Sequence, residues 1–581
     1  MRHFLILLFA VAGIAAARGQ ALPEHDYAYP VKGVQRLYSA NFGEMRPNHF
    51  HSGIDIKTDG ATGKEVVAVA DGYVTRLVVQ PGGYGRALYV VHEDGTTSVY
   101  GHLSRFRADI EKYVREERLR RKRNSVDLYF SPWQWKVVKG ETIALSGNTG
   151  TSYGPHLHFE LRQSATARTM NTMAMGIITP KDDIPPVIVR LHYIEVDTLH
   201  GVPVNAPRKT YEVRSSATTG IYELADSVVS VGRNGYFVAE VTDRKNDVQN
   251  RFGVYRLSWS MDGQKRFEYR MDGFTFDRSR YCNAASYYPI QLAAKTEAIR
   301  LARIDGNRRD FYRTLVDDGR VRVGAGESKL IEIEAEDDCG NISRLEFTVA
   351  GKADDRCFRA TEGMAEEFVV DRREDFRFGN GEIDVAIPAG ALYESVFFKY
   401  ANGAKSCAST PTVRVLSPVH SVLSANVPLH KGMTISIRYD GPENLRSKAV
   451  LARRNASGKP VYAGGKYESY GVVTGTVTTA GDYMIAADTV PPTAKPRFAD
   501  GADLSKSSTL SFDIADNFSG VASYEGTIDG QWAIFDWMPV SGRLIHNFAD
   551  GDVPRGKQHT VRMTLTDNCG NTRTVESHFF R

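Results

Sequence analysis

The sequence predicts a mainly β chain: an antiparallel β domain carrying one helical insertion, followed by two or three β-sandwich modules of immunoglobulin-like pattern. Three observations predict it. Short apolar runs at residues 66–70, 73–79, 87–92 and 97–100 are separated by glycine-bearing turns, the signature of an antiparallel sheet. Residues 106–123 break that pattern, with Phe106, Ile110, Tyr113 and Val114 recurring at three- and four-residue steps, as on an amphipathic helix. Further on, a double proline opens a β-rich segment twice, and each segment closes on a similar Cys-Gly-Asn string.

At 581 residues the chain exceeds one core, and typical domain sizes imply about three to five units. A hydrophobic fraction of 42% with 24% charged residues is ordinary for globular chains. A net charge of +4 selects no partner and excludes a strongly basic nucleic-acid binder.

In chain order, Arg2 and His3 precede an apolar run over residues 4–17, the length of a signal-peptide core and short of a membrane span. Residues 1–19 are therefore read as a signal peptide. No later apolar stretch is long enough to span a bilayer as a helix, so the mature protein is expected to be exported and soluble. Residues 22–165 form the first domain. Its insertion ends in Arg118-Leu119-Arg120-Arg121-Lys122-Arg123, read first as a solvated basic helix end. The sharper alternative makes it one wall of a cleft. Tyr129, Trp133 and Trp135 follow and are assigned to packing rather than to a groove. His92, ahead of Glu93-Asp94-Gly95, is read as a turn residue rather than a ligand.

The linker Asp182-Asp183-Ile184-Pro185-Pro186 opens a module over residues 185–350 with added material near 265–325. Its echo, Asp488-Thr489-Val490-Pro491-Pro492, opens another over residues 491–581. The closing strings are Asp338-Cys339-Gly340-Asn341 and Asn568-Cys569-Gly570-Asn571. Residues 360–487 read as a further β domain. Cys282, Cys339, Cys357, Cys407 and Cys569 are odd in number and lack C-x-x-C spacing, which leaves at least one thiol over and disfavours a zinc ribbon.

The chemistry concentrates in three strings: His49-Phe50-His51-Ser52-Gly53-Ile54-Asp55, Tyr100-Gly101-His102-Leu103, and Gly154-Pro155-His156-Leu157-His158-Phe159-Glu160. A catalytic zinc takes three His, Asp or Glu ligands and keeps a fourth position open, and His51, Asp55 and His158 can supply such a set. His156 and His158 sit two apart, on one face of a strand, with Glu160 beyond them as a partner for an imidazole. His102 and His156 remain to move protons.

The pattern H-x-G-x-D, Y-x-H-L, G-P-H-L-H-F-E resembles the lysostaphin-type (LytM-like) zinc metallopeptidases that cut peptidoglycan peptides. The resemblance covers residues 40–165 and implies zinc held by His51, Asp55 and His158, with His102 and His156 as the catalytic pair. It implies an exported D,D-endopeptidase of peptidoglycan stem peptides, the periplasm being the expected setting. Tyr100 or Tyr153 would support the oxyanion. The alternative is a non-catalytic LytM-like activator of other wall hydrolases, since some members have lost their ligands. The C-terminal β modules are expected to hold the enzyme at the wall or at an envelope partner.

Overall fold

The computed structural model describes residues 26–132, 134–293, 296–353, 358–361, 368–551 and 553–581. The signal-peptide segment, Trp133 and Cys357 lie outside the described residues. The chain is mainly β, as expected.

In the first domain the principal strands are β1 (Tyr38–Ala40), β2 (Ile54–Lys57), β3 (Gly72–Val79), β4 (Arg86–His92), β5 (Thr96–Gly101), β6 (Val126–Tyr129) and β7 (His156–Gln163). They form one antiparallel sheet in the order β1-β2-β7-β5-β4-β3-β6. Alternation decides its two faces. Ile54, Ile56, Leu157, Phe159 and Leu161 are almost fully buried on the core side, which turns Asp55, His156, His158 and Glu160 to the other. The register sets Asp55 opposite His158 on β2 and β7, and Gly101 opposite His158 on β5 and β7. Gly53 is required by close approach: a β-carbon there would lie 2.3 Å from the Phe159 carbonyl oxygen.

The predicted helix is α1 (Ala108–Arg121). Ile110 and Val114 enter the core, and Trp135 packs edge-on against Tyr113 and Phe130, a packing role as expected. Tyr129 is exposed and has the Arg76 guanidinium over its ring. The basic end of α1 is not simply solvated. Arg118 is only 2% exposed, and its guanidinium meets Asp536 of the last module at 2.5 Å. Arg115 donates to the Ala549 carbonyl, and the Asn124 side chain accepts the Phe535 N–H. The sequence pattern misses this because the partners lie more than 400 residues downstream.

Residues 187–351 build one continuous eleven-stranded sheet, in which Ile221–Val231 runs parallel to Ile342–Gly351. Its added material carries short helices at Phe276–Ser279, Cys282–Ala285 and Tyr288–Gln291, which reach back to the first domain. Phe50 sits against Phe274 and Phe311, Phe42 against Phe274, and the two domains share a single hydrophobic core. Residues 368–488 form a two-stranded, a five-stranded and a six-stranded sheet, and residues 493–580 form two sheets around a separate core that includes Phe512, Phe535, Met563 and Phe579. In both echoing modules the Cys-Gly-Asn string makes the turn of a long antiparallel hairpin. Cys282, Cys339, Cys407 and Cys569 are free thiols.

Phe50 is 1% exposed and immediately precedes His51. Phe50→Ala removes the ring that joins the two domains and is expected to cost about 3–5 kcal/mol. Denaturant unfolding followed by tryptophan fluorescence would read this as a fall in the midpoint of the first transition.

Candidate metal centre

His51, Asp55 and His158 converge, all at least nine-tenths buried. His51 Nε2 lies 3.1 Å from His158 Nδ1, His158 Nδ1 2.9 Å from Asp55 Oδ1, and His51 Nε2 3.2 Å from Asp55 Oδ1. Their back sides fix which nitrogens carry protons. His51 Nδ1 is 2.7 Å from the Asn41 carbonyl, which can only accept, so it donates there and Nε2 turns its lone pair inward. His158 Nε2 is 2.8 Å from Glu160 Oε1, so Nε2 donates and Nδ1 faces the centre. Two imidazole lone pairs and a carboxylate oxygen thus point at one place. A triangle of acceptors with edges near 3 Å matches one face of a tetrahedron of ligands about 2.0–2.2 Å from a zinc ion. The donor set fits the metal.

The supporting shell is equally defined. Glu160 accepts from Ser52 Oγ at 2.6 Å, Tyr84 Oη at 2.5 Å and Arg162 Nε at 2.6 Å, which fixes the carboxylate that orients His158. Burial opposes ionisation of Glu160, but Arg162 and His158 outweigh it and hold its pKa down at about 2. Burial likewise opposes the Asp55 carboxylate, yet the imidazoles of His51, His156 and His158 around it hold it well below the usual range.

His102 and His156 stand beside this triangle with ring centroids 4.7 Å apart. His102 Nδ1 donates to the Thr149 carbonyl at 2.8 Å, and His156 Nδ1 to the Gly154 carbonyl at 2.8 Å. Each therefore keeps Nε2 free, and His156 Nε2 is 3.5 Å from Asp55 Oδ1. Burial, with His156 and His158 adding to it, drives the His102 imidazole down to about 3 and keeps it neutral. His102 also adopts φ +59°, a left-handed conformation costly for a side-chain-bearing residue and typical of functional sites.

All five predicted site residues therefore meet in one place, and Glu160 takes the supporting part expected of it. Tyr100 does not reach the site. It is fully buried in the core, where its hydroxyl accepts the Val69 N–H. Tyr153 is 88% exposed. His92 ends a strand and opens the turn as expected, its carbonyl accepting the Gly95 N–H, while its buried ring bridges the Asp71 carbonyl and Ser98 Oγ. Sequence reasoning missed Tyr84, Asn41 and Arg46. Arg46 Nη2 lies 3.8 Å from Asp55 Oδ2 and brings a positive charge to the rim. Arg46 lies on the two-residue strand Met45–Arg46, which pairs with His49–Phe50, a hairpin too short to leave a periodic signal.

Residues 49–119 match the family model described as Peptidase family M23. The N-terminal domain is LytM-like. The LytM-like domain is 35% identical over 125 residues to an uncharacterized metalloprotease of Haemophilus influenzae, covering 22% of this chain and 20% of that relative. It is 33% identical over 131 residues to the DD-carboxypeptidase/endopeptidase Mpg of Neisseria meningitidis (22% and 24%). It is also 32% identical over 141 residues to the murein hydrolase activator NlpD of Escherichia coli (24% and 29%). The match thus spans under a third of each of these relatives. Among solved structures, a zinc-containing peptidase from Vibrio cholerae is 27% identical, with 24% of this chain and 36% of that one covered and a TM-score of 0.18. Residues 368–488, within the stretch expected only to be a further β domain, match the Zu5-like domain model.

The pKa of His158 governs metal uptake. Burial alone would lower it, but the hydrogen bonds to Asp55 and Glu160 raise it to about 9 in the metal-free protein. An entering metal must displace that proton, while Asp55 is already ionised. Apparent zinc affinity is therefore expected to rise with pH, by up to about tenfold per unit from pH 7 to 9, and then to level off. Competition with a chromophoric chelator measures it; an affinity independent of pH over that range contradicts the assignment.

Proposed function

We propose that this protein is an exported zinc metalloendopeptidase that hydrolyses peptide cross-links of bacterial peptidoglycan. The observation that carries the proposal is the complete constellation: three acceptor atoms that need a cation, flanked by two imidazoles whose Nε2 atoms are free. Similarity to Mpg, named for DD-carboxypeptidase and endopeptidase activity, supports the substrate class. Among the described residues no helix is long and apolar enough to cross a membrane.

His51, Asp55 and His158 would hold the zinc. When bound, it supplies Lewis-acid chemistry to the scissile carbonyl and to the attacking water. The remaining roles belong to the chain. Neutral His102, its Nδ1 proton committed to Thr149, offers Nε2 as a proton acceptor for the water. His156, fixed through Gly154, faces the same space and serves proton delivery to the leaving amine. Glu160 keeps His158 aligned through catalysis, and Tyr84 and Arg162 keep Glu160 aligned. Arg46 supplies a positive rim that favours the carboxylate-bearing stem peptides of the wall.

Similarity to NlpD motivates a second reading, a non-catalytic activator of other hydrolases. The intact ligand triangle and both flanking histidines favour the enzyme. Under either reading we propose that residues 185–581 hold the LytM-like domain at the wall or at an envelope partner.

Cross-linked sacculi incubated with the mature protein should lose dimeric muropeptides and gain monomers, read by mass spectrometry. His51→Ala and Asp55→Ala should lose zinc and activity together. His102→Ala and His156→Ala should keep zinc and lose about 10²–10⁴-fold in rate. Full activity in His102→Ala would overturn the assigned roles. Zinc-loaded wild-type protein that cleaves nothing but stimulates another wall hydrolase would favour the activator.

A further inference from the structure

The two echoing modules carry more than a shared turn. In the first, Asp182 of the linker, Asp243 at a strand end and Asp337 at the hairpin turn bring one oxygen each to within 4.8 Å of one another. In the second, Asp488, Asp516 and Asp567 do the same. The placement is equivalent in detail. Asp337 Oδ1 accepts the Cys339 and Asn341 N–H groups, and Asp567 Oδ1 accepts those of Cys569 and Asn571. The Asn341 side chain bridges Asp337 Oδ2 and the Asp182 carbonyl, and Asn571 bridges Asp567 Oδ2 and the Asp488 carbonyl.

One member of the first triad points to a missing ligand. Asp243 is fully buried, and neither of its carboxylate oxygens has a hydrogen-bond partner. The nearest cation is Lys245 Nζ, 3.6 Å away. That ammonium is committed elsewhere, at 2.6 Å from Asp338 and 3.3 Å from Asp182. The second module shows what Lys245 is for. There Asn568 stands where the first has Asp338, and Phe518 stands where it has Lys245. The lysine and the fourth carboxylate come and go together, which leaves three carboxylates over in both modules. In the second, no basic side chain among the described residues pairs with any of the three, and Asp516 Oδ1 is buried without a partner.

Three ionised carboxylates cannot share a buried site without a counter-charge. The grouped donors in both triads are carboxylate oxygens, and hard oxygen donors suit a hard divalent ion. We propose that each triad binds one calcium-class divalent cation, which ties the linker entering a module to the hairpin turn that closes it. With the ion bound, four carboxylates and one ammonium in the first site, and three carboxylates in the second, both come to a net charge of −1. The first site stands one residue from the zinc ligands, since Asp338 accepts from the Asn41 side chain and the Asn41 carbonyl holds His51.

The test is calorimetric titration of calcium chloride into full-length mature protein that has been freed of calcium and verified to retain zinc. Wild type should take up two equivalents with dissociation constants of about 10⁻³ M or tighter, the range of extracellular calcium modules. Asp243→Asn and Asp516→Asn should each lose one equivalent, and the double variant both. Calcium should also raise the melting temperature of wild type and should leave the double variant unmoved. No saturable uptake by wild type up to about 10 mM, ten times the weak limit for such modules, overturns the proposal without any variant. Two equivalents retained by the double variant overturn it as well, and a single equivalent overturns it for the module whose variant is silent. Zinc content, measured alongside, separates these outcomes from failure of the peptidase assignment.

Discussion

The convergence of three electron-pair donors on one point is the constraint around which the LytM-like domain is arranged. His51 Nε2, His158 Nδ1 and Asp55 Oδ1 lie about 3 Å apart with their protons turned away, toward Asn41 and Glu160. Electron pairs this close repel one another unless a cation lies between them. The sheet imposes the geometry. Asp55 and His158 are cross-strand partners, Gly101 is the next partner over, and His102 follows directly from it. Adjacent strands lie under 5 Å apart, so one register delivers two ligands and a general base to the same few ångströms.

The rest of the chain bears on this point from two sides. From one, the insertion of the second module clamps the segment that leads into His51. Phe274 and Phe311 pack on Phe42 and Phe50, Ser279 Oγ accepts the Phe50 N–H, and Glu297 accepts that of Met45. From the other, the last module grips α1 through Arg118 and Asp536. Arg86 links that contact inward: it is paired with Glu111 of α1, and its backbone N–H donates to Thr149, whose carbonyl holds His102. The two contacts place the ligand side and the proton-transfer side of the centre under different modules.

What was legible in the sequence follows from the range of the interaction concerned. The mainly β class, the helix at residues 108–121 and the face carrying His156, His158 and Glu160 are all fixed by local periodicity, and each was readable. The five site residues are readable mainly through the resemblance of their three strings to the LytM-like pattern, and secondarily because His, Asp and His suit a zinc ion. Arg118 was misjudged as solvated because its partner Asp536 is 418 residues away, and no composition rule reports such a contact. Asn41 was passed over for the same reason: Gly253 and Asp338, which hold its side chain, lie in another domain. Tyr100 was misplaced through the alternation that placed the histidines. It stands opposite Phe159 across β5 and β7, and so it points into the core rather than at the metal.

The most direct test of the account is anomalous diffraction at the zinc edge from crystals of the zinc-loaded full chain. One strong peak is expected within bonding distance, about 2.0–2.2 Å, of His51 Nε2, Asp55 Oδ1 and His158 Nδ1, with Nδ1 of His51 still on the Asn41 carbonyl. A protein that binds one zinc per chain but shows its peak elsewhere, or coordinates it through His102 in place of His51, would contradict it.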